Sequence, residues 1–599
     1  MKTEEKLQQL RELMKARKID AYIIPTDDFH SSEYVGEYFK ERAYLSGFTG
    51  SAGTLVVMEE EAALWTDGRY FLQAGEQLKN STITLMKMGQ PGVPTIAEYL
   101  AQNLPVQGVI GFDGRTVTAR FVEELERKAK AKKPGFYGKE DLVDFIWKDR
   151  PAISQKPVWE LEVTYAGLSR EEKMTAVREK MKEAGADYLL LTALDEIAWL
   201  LNLRGDDVKN TPVFLSYMII ETDKAVLCVH EEILSAPIKE KLHAAGVEIE
   251  DYEQVDSLLT KLADGKTVWA DKGRVSERLI DCIPEGVGQI DSASPIELMK
   301  AIKTPEEMRY MKEAHRKDGV AVTRFLYWLK KQVTTKEGVT ELEAAAKLEE
   351  FRAMQEGYLG ASFDPIIAYG AHGAIVHYDP TPETDIPMQP SGFCLADTGG
   401  HYKEGTTDIT RTIALGTLTE EEKRAYTIVL RGHLNLGAAR FLHGVCGQNL
   451  DCLAREPLWE NGLDYNHGTG HGVGYILSVH EGPQNFRWRM GSNVPYIPLE
   501  EGMIISNEPG LYLTGKFGIR HENLVLCRKG EQNEYGQFMY LEPLTMVPFD
   551  LEAIEPSLMT DREVELLNAY HEKVREAITP YLEGKEKEWL IQATRPISK

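Results

Sequence analysis

The sequence predicts an α/β (α+β) protein of three domains, and three observations support this prediction. The chain has 599 residues, whereas a single hydrophobic core rarely grows beyond about 250–300 residues. Residues 4–26 and 171–192 repeat one order of elements, an amphipathic helix followed by a short turn and an apolar strand. A strongly helical run begins near Pro305 and opens a long third segment.

The two N-terminal repeats each continue into a second apolar stretch that reaches a glycine. This stretch is AYLSGFTGSAG in the first repeat and AWLLNLRGDD in the second. A polar linker containing proline follows near Lys156, and the second repeat ends near residues 292–295. We therefore expect two related α/β domains, at residues 1–156 and 157–303.

The third domain is expected to begin with a helix at Pro305. Thr304 is a good N-cap residue, and proline is favoured at the first helical position. Glu306 and Glu307 add negative charge to the first turn, where the helix dipole favours it. The start of this helix predicts a third domain at residues 304–599.

Composition excludes several classes of protein. Hydrophobic residues make up 43% of the chain and charged residues 27%, as in ordinary globular proteins. The net charge of −25 would repel a phosphate backbone, so we expect no nucleic-acid partner. Six scattered cysteines without a C-x-x-C pair suit a reducing compartment. No apolar stretch approaches the roughly 18 residues of a membrane span, and the charged start lacks a signal-peptide core. We expect a cytoplasmic protein.

The segment LADTGGHYKEGTTDITRT, residues 395–412, is typical of a β-hairpin. Its returning limb alternates side chains with the two-residue period of a strand. Asp397 lies on the outgoing limb and Asp408 on the returning one. The hairpin can therefore bring the two carboxylates side by side.

A second segment, residues 503–527, has the same form, with Glu508 and Glu522 on its two limbs. Neighbouring carboxylates repel one another and would stay partly protonated unless cations were present. Four converging carboxylates are most simply explained by two divalent ions with a hydroxide between them, the arrangement of two-metal hydrolases.

Histidines accompany these carboxylates. His467, His471 and His480 lie in a glycine-rich stretch that includes a strand-like YILSVH, and His377 lies in a strand-like AIVHY. Imidazole beside carboxylates favours manganese, cobalt, zinc or iron over calcium or magnesium. Any one of these residues alone would usually be structural, so the inference depends on the whole group.

Other catalytic motifs are missing from the sequence. The glycine-rich stretch lacks the lysine of a phosphate-binding P-loop, and no H-E-x-x-H pair occurs. The segment GFTGSAG does not contain the G-x-S-x-G of a serine-hydrolase elbow.

Taken together, these segments resemble the metal-dependent "pita-bread" peptidases, which include methionine aminopeptidase, prolidase and Xaa-Pro aminopeptidase. The likeness is closest to the long, three-domain Xaa-Pro aminopeptidases, which carry two creatinase-like N-terminal domains before the pita-bread domain. It covers nearly the whole chain, including residues 32–74 and the motifs GTTDITRTIALG, HGTGHGVG, VHEGPQ and WLIQATRPI. The family's five metal ligands map in chain order onto Asp397, Asp408, His471, Glu508 and Glu522.

The resemblance also implies a role for each ligand. Asp397 would bind one metal through both oxygens, and Asp408 and Glu522 would bridge the pair. His471 and Glu508 would complete the other metal's coordination, with Glu508 also acting as general base.

Further residues match the substrate site of the family. His377, His467 and His480 would position the scissile carbonyl and stabilise developing charge, and Arg520 would orient neighbouring acidic groups. The implied cofactors are two divalent ions, with manganese expected and cobalt or zinc possible.

The implied function is metal-dependent removal of the N-terminal residue from peptides with proline in second position, by a cytoplasmic homodimer. Prolidase, which accepts only Xaa-Pro dipeptides, is the nearest alternative. Creatinase, a metal-free amidinohydrolase, and a catalytically inactive pita-bread module that binds proteins are the others. The complete set of five ligands disfavours the last two.

Overall fold

The computed structural model describes residues 1–335, 338–489 and 496–599. It divides into two compact units. The first comprises Met1–Val163 and Leu168–Glu297, and the second comprises Thr164–Gly167 and Leu298–Lys599. This division does not test the three predicted domain boundaries, which stay predictions. Among the described residues, no helix is both long and apolar enough to cross a membrane.

The first unit contains two six-stranded sheets. The strands of the first sheet are β1 (Ala21–Pro25), β2 (Thr54–Met58), β3 (Ala62–Thr66), β4 (Ile83–Lys87), β5 (Val109–Phe112) and β6 (Gly135–Tyr137). The helices of this region are α1 (Thr3–Arg17), α2 (Glu41–Ser46), α3 (Phe71–Gln77), α4 (Ile96–Asn103) and α5 (Ala119–Lys128). In α1, Leu7, Leu10 and Met14 are buried, and their spacing gives the helix one apolar face against the sheet.

The second sheet follows the same plan. Its region contains the strands β7 (Trp159–Glu160), β8 (Tyr188–Leu191), β9 (Leu203–Arg204), β10 (Ser216–Glu221), β11 (Ala225–Val229), β12 (Val247–Glu250), β13 (Thr267–Trp269) and β14 (Gly288–Ile290). Its helices are α7 (Arg170–Ala184), α8 (Leu194–Leu201), α9 (Ala236–Ala244), α10 (Val255–Leu259) and α11 (Glu277–Asp281). The helices α6 (Val163–Ala166) and α12 (Pro295–Ala301) each contain residues of both units.

The two sheets share their strand order and directions. The first runs β4-β3-β2-β1-β5-β6 and the second β12-β11-β10-β8-β13-β14. In both, the two central antiparallel pairings are flanked by parallel ones. The expectation that the two repeats share one architecture is confirmed.

The second unit is built of long helices around antiparallel sheets. Its helices are α13 (Pro305–Val333), α14 (Glu341–Ala353), α15 (Glu420–Gly437), α16 (Gly447–Leu450), α17 (Cys452–Trp459), α18 (Asp561–Ile578) and α19 (Gly584–Ala593). Its strands are β15 (Tyr358–Ala361), β16 (Ile366–Tyr369), β17 (Phe393–Thr398), β18 (Gly400–Tyr402), β19 (Gly405–Thr406), β20 (Ile409–Ala414), β21 (Arg440–Leu442), β22 (Gly470–His471), β23 (Asn485–Phe486), β24 (Ile504–Asn507), β25 (Gly510–Leu513), β26 (Phe517–Arg520), β27 (Asn523–Asn533) and β28 (Gly536–Pro543).

The predicted start of α13 is confirmed. The Thr304 hydroxyl accepts a hydrogen bond from the Glu307 backbone N–H at 3.2 Å, and the Glu307 carboxylate accepts one from the Thr304 N–H at 2.9 Å. This reciprocal capping satisfies two backbone donors that a helix N-terminus otherwise leaves unpaired.

Both predicted hairpins are confirmed, whereas two predicted strands are wrong. β17 pairs with β20 and β24 with β27, each antiparallel. The YILSVH segment, residues 475–480, forms bends in a loop instead of a strand. The AIVHY segment, residues 374–378, leaves the 3₁₀ helix Gly370–Ala374 and turns. Short apolar runs without periodicity do not distinguish a strand from a buried loop.

Candidate metal centre and active site

Each of the two hairpins places two acidic side chains near one end of its outer strand pair. In the β17–β20 pair, Asp397 lies opposite Thr410, and Asp408 directly precedes β20. In the β24–β27 pair the last partners are Asn507 and Asn523. Glu508 and Glu522 lie immediately beyond these partners, at the same end of the second hairpin.

His471 joins the acidic cluster from a third element. It lies on β22, which pairs with β23, and the next residue forms a bridge to Ile505 of β24. The imidazole Nδ1 donates to the Gly472 carbonyl at 2.9 Å, so Nε2 faces the carboxylates. It lies 3.4 Å from Asp408 Oδ2 and 3.3 Å from Glu508 Oε1.

The cluster has the geometry of a metal site. Ligand atoms of Asp408, His471 and Glu522 all lie within 4.8 Å of one another. Asp397 Oδ1 and Glu522 Oε1 are buried and accept no hydrogen bond. Buried carboxylate oxygens without a partner are costly, and divalent cations would satisfy them. The residues present therefore fit a metal centre.

Electrostatics lead to the same interpretation. Burial raises the pKa of Asp397 to about 6, with Arg520 opposing the shift and Asp408 adding to it. Burial, Asp408 and Glu508 hold the pKa of Glu522 well above its usual range. Carboxylates this close cannot all ionise unless cations balance them.

His471 responds to the same carboxylates in the opposite direction. Burial lowers its pKa, but the hydrogen bond to Asp408 and the charge of Glu508 outweigh burial and raise the pKa to about 9. Its proton therefore supplies positive charge at the position where a metal ion would bind.

Side-chain hydrogen bonds join the two hairpins at the site. Arg520, from the second hairpin, donates to Asp397 Oδ2 through Nε at 3.1 Å and also through Nη2. Thr410, from the first hairpin, donates to Glu522 Oε2 at 2.6 Å. The Arg411 guanidinium donates to the Glu522 carbonyl at 2.6 Å. Because Oδ2 of Asp397 already accepts from Arg520, metal binding through both of its oxygens stays a prediction.

His467 is linked to Arg520 through a tyrosine. Tyr512 OH accepts from Arg520 Nη1 at 2.8 Å and lies 2.9 Å from His467 Nε2. The other ring nitrogen, Nδ1, lies 2.7 Å from the Gly468 carbonyl and donates to it. Burial lowers the pKa of His467 to about 4, so the ring is neutral and Nε2 accepts the tyrosine proton.

The other two predicted histidines lie on loops, and His480 contacts a residue of the cluster. The His480 ring stands edge-on to the ring of His471, with centroids 4.2 Å apart. His377 follows a 3₁₀ helix that packs closely on β26, where a Cβ on Gly518 would lie 1.7 Å from the Gly373 carbonyl. Only glycine permits that approach, which sets the His377 loop beside the strand that carries Arg520.

Several supporting residues escape sequence reasoning. The sequence could have indicated Thr410 as a neighbour of the site, because it lies two positions after Asp408 and so shares its strand face. No sequence pattern indicated Ser506. Its hydroxyl donates to Glu508 Oε1 at 2.9 Å and accepts from the His471 N–H at 2.9 Å. No sequence pattern indicated Glu341 either. It accepts from the Tyr369 N–H at 2.7 Å and Tyr378 OH at 2.8 Å, and so fixes the His377 loop.

Comparison with known proteins places this site in a family. Residues 309–529 match the model of metallopeptidase family M24, and residues 537–597 match the C-terminal region of that peptidase. Residues 6–138 and 149–307 match two models of the creatinase/prolidase N-terminal domain. Aminopeptidase P2 of Arabidopsis thaliana is 41% identical over 100% of this chain and 89% of its own length. The chain belongs to the Xaa-Pro aminopeptidase family.

Other Xaa-Pro aminopeptidases match over a similar extent. Xaa-Pro aminopeptidase 1 of Dictyostelium discoideum is 39% identical over 99% of this chain and 96% of its own length. A crystal structure of X-prolyl aminopeptidase from Caenorhabditis elegans superposes with a TM-score of 0.95 at 34% identity, covering 100% of both chains. That protein is described as a cytosolic enzyme with a dinuclear active site.

These relatives decide several of the predictions. The family, the fold class of creatinase-like domains before a peptidase domain, and the activity of a metal-dependent Xaa-Pro aminopeptidase are confirmed. The individual ligand and catalytic assignments stay predictions, as do manganese, the homodimer and the cytoplasmic location.

Proposed function

We propose that this chain removes the N-terminal residue from peptides with proline in second position, at a site that holds two divalent ions. The observation that carries the assignment of residues is the convergence of four carboxylates and one imidazole, with two buried oxygens lacking partners. The proposed ligands are Asp397, Asp408, His471, Glu508 and Glu522.

Manganese is the proposed metal, because mixed carboxylate and imidazole ligands suit it, and cobalt or zinc would also be accepted. Two divalent ions, when bound, polarise a carbonyl and lower the pKa of a water molecule. We expect about two ions per chain by this logic, and loss of activity on chelation that added manganese restores.

Glu508 is proposed as the general base that accepts the proton of the attacking water. Burial opposes its ionisation, yet His471 and Arg520 lower the pKa of Glu508 below its ordinary value. With the ions bound, His471 would be a neutral ligand, and the charge of the ions would take the place of its proton. An ionised carboxylate is the form that can accept a proton. The Ser506 hydroxyl holds Oε1 and so fixes the orientation of the acceptor.

The remaining catalytic residues are proposed to position substrate and charge. His377 and His480 would orient the scissile carbonyl, and His467 would act together with Tyr512 beside the charge that develops there. Arg520, which donates to Asp397 and Tyr512, keeps a fixed positive charge next to the acidic cluster.

Two properties of the substrate test the proposed specificity: its length and the residue in second position. An amide bond to proline has no N–H, and the ring fixes φ, so general peptidases accommodate it poorly. We expect the chain to cleave Xaa-Pro-Xaa tripeptides as well as Xaa-Pro dipeptides in the presence of manganese. Cleavage of dipeptides alone would identify a prolidase. Equal cleavage of matched peptides with alanine in second position would contradict the proposed preference for proline.

We also propose that the protein is a cytoplasmic homodimer and that its three domains occupy residues 1–156, 157–303 and 304–599. The cytosolic description of the C. elegans relative supports the location. Sedimentation equilibrium would test the dimer, and limited proteolysis would test the boundaries.

A further inference from the structure

Glu481, the neighbour of His480, carries a buried carboxylate that the proposed mechanism does not use. Its side chain is 2% exposed and pairs with two equally buried lysines. Lys300 Nζ lies 3.0 Å from Oε1, and Lys303 Nζ lies 3.7 Å from the same oxygen. The Lys303 ammonium also donates to the backbone carbonyl of Lys300 at 3.0 Å, which holds the Lys303 side chain beside that residue.

The backbone around Glu481 closes a loop that carries two site histidines. The Glu481 N–H donates to the Gly472 carbonyl at 2.8 Å, directly beside His471. The Gly472 N–H in turn donates to the Gln484 carbonyl at 3.0 Å. His471 and His480 are thereby held on facing sides of the loop, in the edge-on contact described above.

The carboxylate of Glu481 also packs against the inside of this loop. A Cβ on Gly474 would lie 2.4 Å from Glu481 Oε2, so the glycine leaves the space that the carboxylate fills. The Gly474 N–H donates to the Ser478 carbonyl at 2.9 Å, which completes the bend. The buried ion pairs therefore fix a segment that has no regular secondary structure of its own.

We propose that Glu481 is a positioning residue, which sets the placement of His480 through its ion pairs with Lys300 and Lys303. A buried ion pair rarely adds net stability over apolar packing, but it can specify one geometry. Misplacement of a catalytic group by about 1 Å can cost 10²-fold in rate. The proposal rests on the proposed function, since it concerns how His480 meets the peptide.

The test begins with Glu481→Gln and Glu481→Asp in the full-length, manganese-loaded enzyme. We expect Glu481→Gln to lower kcat/KM about 10- to 100-fold, while the bound manganese per chain is unchanged because all five ligands remain. Glu481→Asp keeps the charge and should recover part of the loss. Wild-type kcat/KM in Glu481→Gln would overturn the proposal, as would loss of the metal.

A double-mutant cycle with His480→Ala separates positioning from general stability. If Glu481 acts through His480, adding Glu481→Gln to His480→Ala should change kcat/KM by only about twofold or less. Independent losses that multiply would overturn the proposal. If Glu481→Gln does not fold, Lys300→Met enters the same cycle, because it leaves Lys303 to pair with Glu481.

Glu563→Gln is the matched control. Glu563 is a buried carboxylate of the same unit, paired with Arg431 at 3.0 Å. We expect this variant to lower the melting temperature and to keep kcat/KM, whereas a fall in kcat/KM equal to that of Glu481→Gln would overturn the proposal. Absence of Xaa-Pro cleavage by the wild-type enzyme would instead contradict the proposed function.

Discussion

The hairpin of β17–β20 and the hairpin of β24–β27 share one plan. Each has an outer antiparallel pair, β17 with β20 or β24 with β27. Each also has an inner pair, β18 with β19 or β25 with β26. Each presents two acidic residues. The first uses Asp397 and Asp408, and the second uses the longer Glu508 and Glu522.

The first hairpin is held by a buried carboxylate. Asp318, on α13, accepts from Tyr402 OH and from Thr407 Oγ1, each at 2.9 Å. Arg352 donates to the same carboxylate at 2.7 Å through Nε. Thr407 directly precedes Asp408, so this polar network fixes the backbone that carries a proposed metal ligand.

The inner strands of the second hairpin are held by apolar packing instead. Leu511, Phe517 and Ile519 of its inner strands belong to the same buried hydrophobic cluster as residues of α15 and α18. Its tip meets another backbone at Gly518, as described above. Similar hairpins in one unit can therefore be fixed by different forces, a polar network in one and apolar packing in the other.

The largest expected effect is on the second hairpin's proton acceptor. Glu508→Gln removes the proposed general base, and loss of such a group costs about 10²–10⁴-fold in kcat. The measurement is kcat on an Xaa-Pro peptide at saturating manganese. Ser506→Ala is the control, since it leaves the carboxylate and removes the hydrogen bonds that Ser506 makes to Glu508 and to the His471 N–H. A wild-type rate in Glu508→Gln would remove this residue from its role.

The next effect concerns the anchor of the first hairpin. Asp318→Asn leaves the buried Arg352 without its counter-charge, which should lower the free energy of unfolding by about 3–5 kcal/mol. Urea denaturation would measure it. Leu511→Ala makes the matching change in the second hairpin, at about 2–5 kcal/mol for a buried leucine. An Asp318→Asn variant as stable as the wild type would show that the first hairpin does not need its anchor.

A smaller effect, on metal affinity, is expected from loss of the hydrogen bond between Thr410 and Glu522, which joins the two hairpins. Thr410→Val removes the hydroxyl that orients Glu522, and loss of such a supporting hydrogen bond lowers metal affinity about 10- to 100-fold. Manganese titration by calorimetry measures this directly. Thr594→Val is the control, because the buried Thr594 hydroxyl bonds only within its own helix region. Equal affinities in Thr410→Val and the wild type would break the inferred dependence of one hairpin on the other.

The smallest effect is expected at Tyr512, on the inner pair of the second hairpin. Tyr512→Phe removes the hydroxyl between Arg520 and His467 but keeps the ring. A hydrogen bond to a charged group contributes about 1.5–3 kcal/mol, so we expect kcat/KM to fall about tenfold, at the lower end of that range. Steady-state kinetics with unchanged manganese content would support this, and a change in metal content alone would contradict it.

Local patterns predicted much of this architecture. The cap at Thr304 and the alternation in the two hairpins predicted α13 and the acidic strands, because these features depend on neighbours in the sequence. The apolar run of residues 475–480 was misleading, since a buried loop held by Glu481 has the same composition as a strand. Bonds such as Thr410 to Glu522 join residues 112 positions apart. Such pairings follow from tertiary packing and leave no local pattern.

The cross-hairpin contacts also constrain the order of events during biosynthesis. Asp397 and Asp408 leave the ribosome well before Arg520 and Glu522. Arg520 supplies the counter-charge to Asp397, and Glu522 is a proposed ligand beside Asp408. A nascent chain that ends between the hairpins therefore holds only half of the acidic cluster, with no guanidinium beside Asp397. With the proposed ligands, metal capture would then follow translation of almost the whole catalytic unit, and a truncated product would lack Arg520, Glu508 and Glu522.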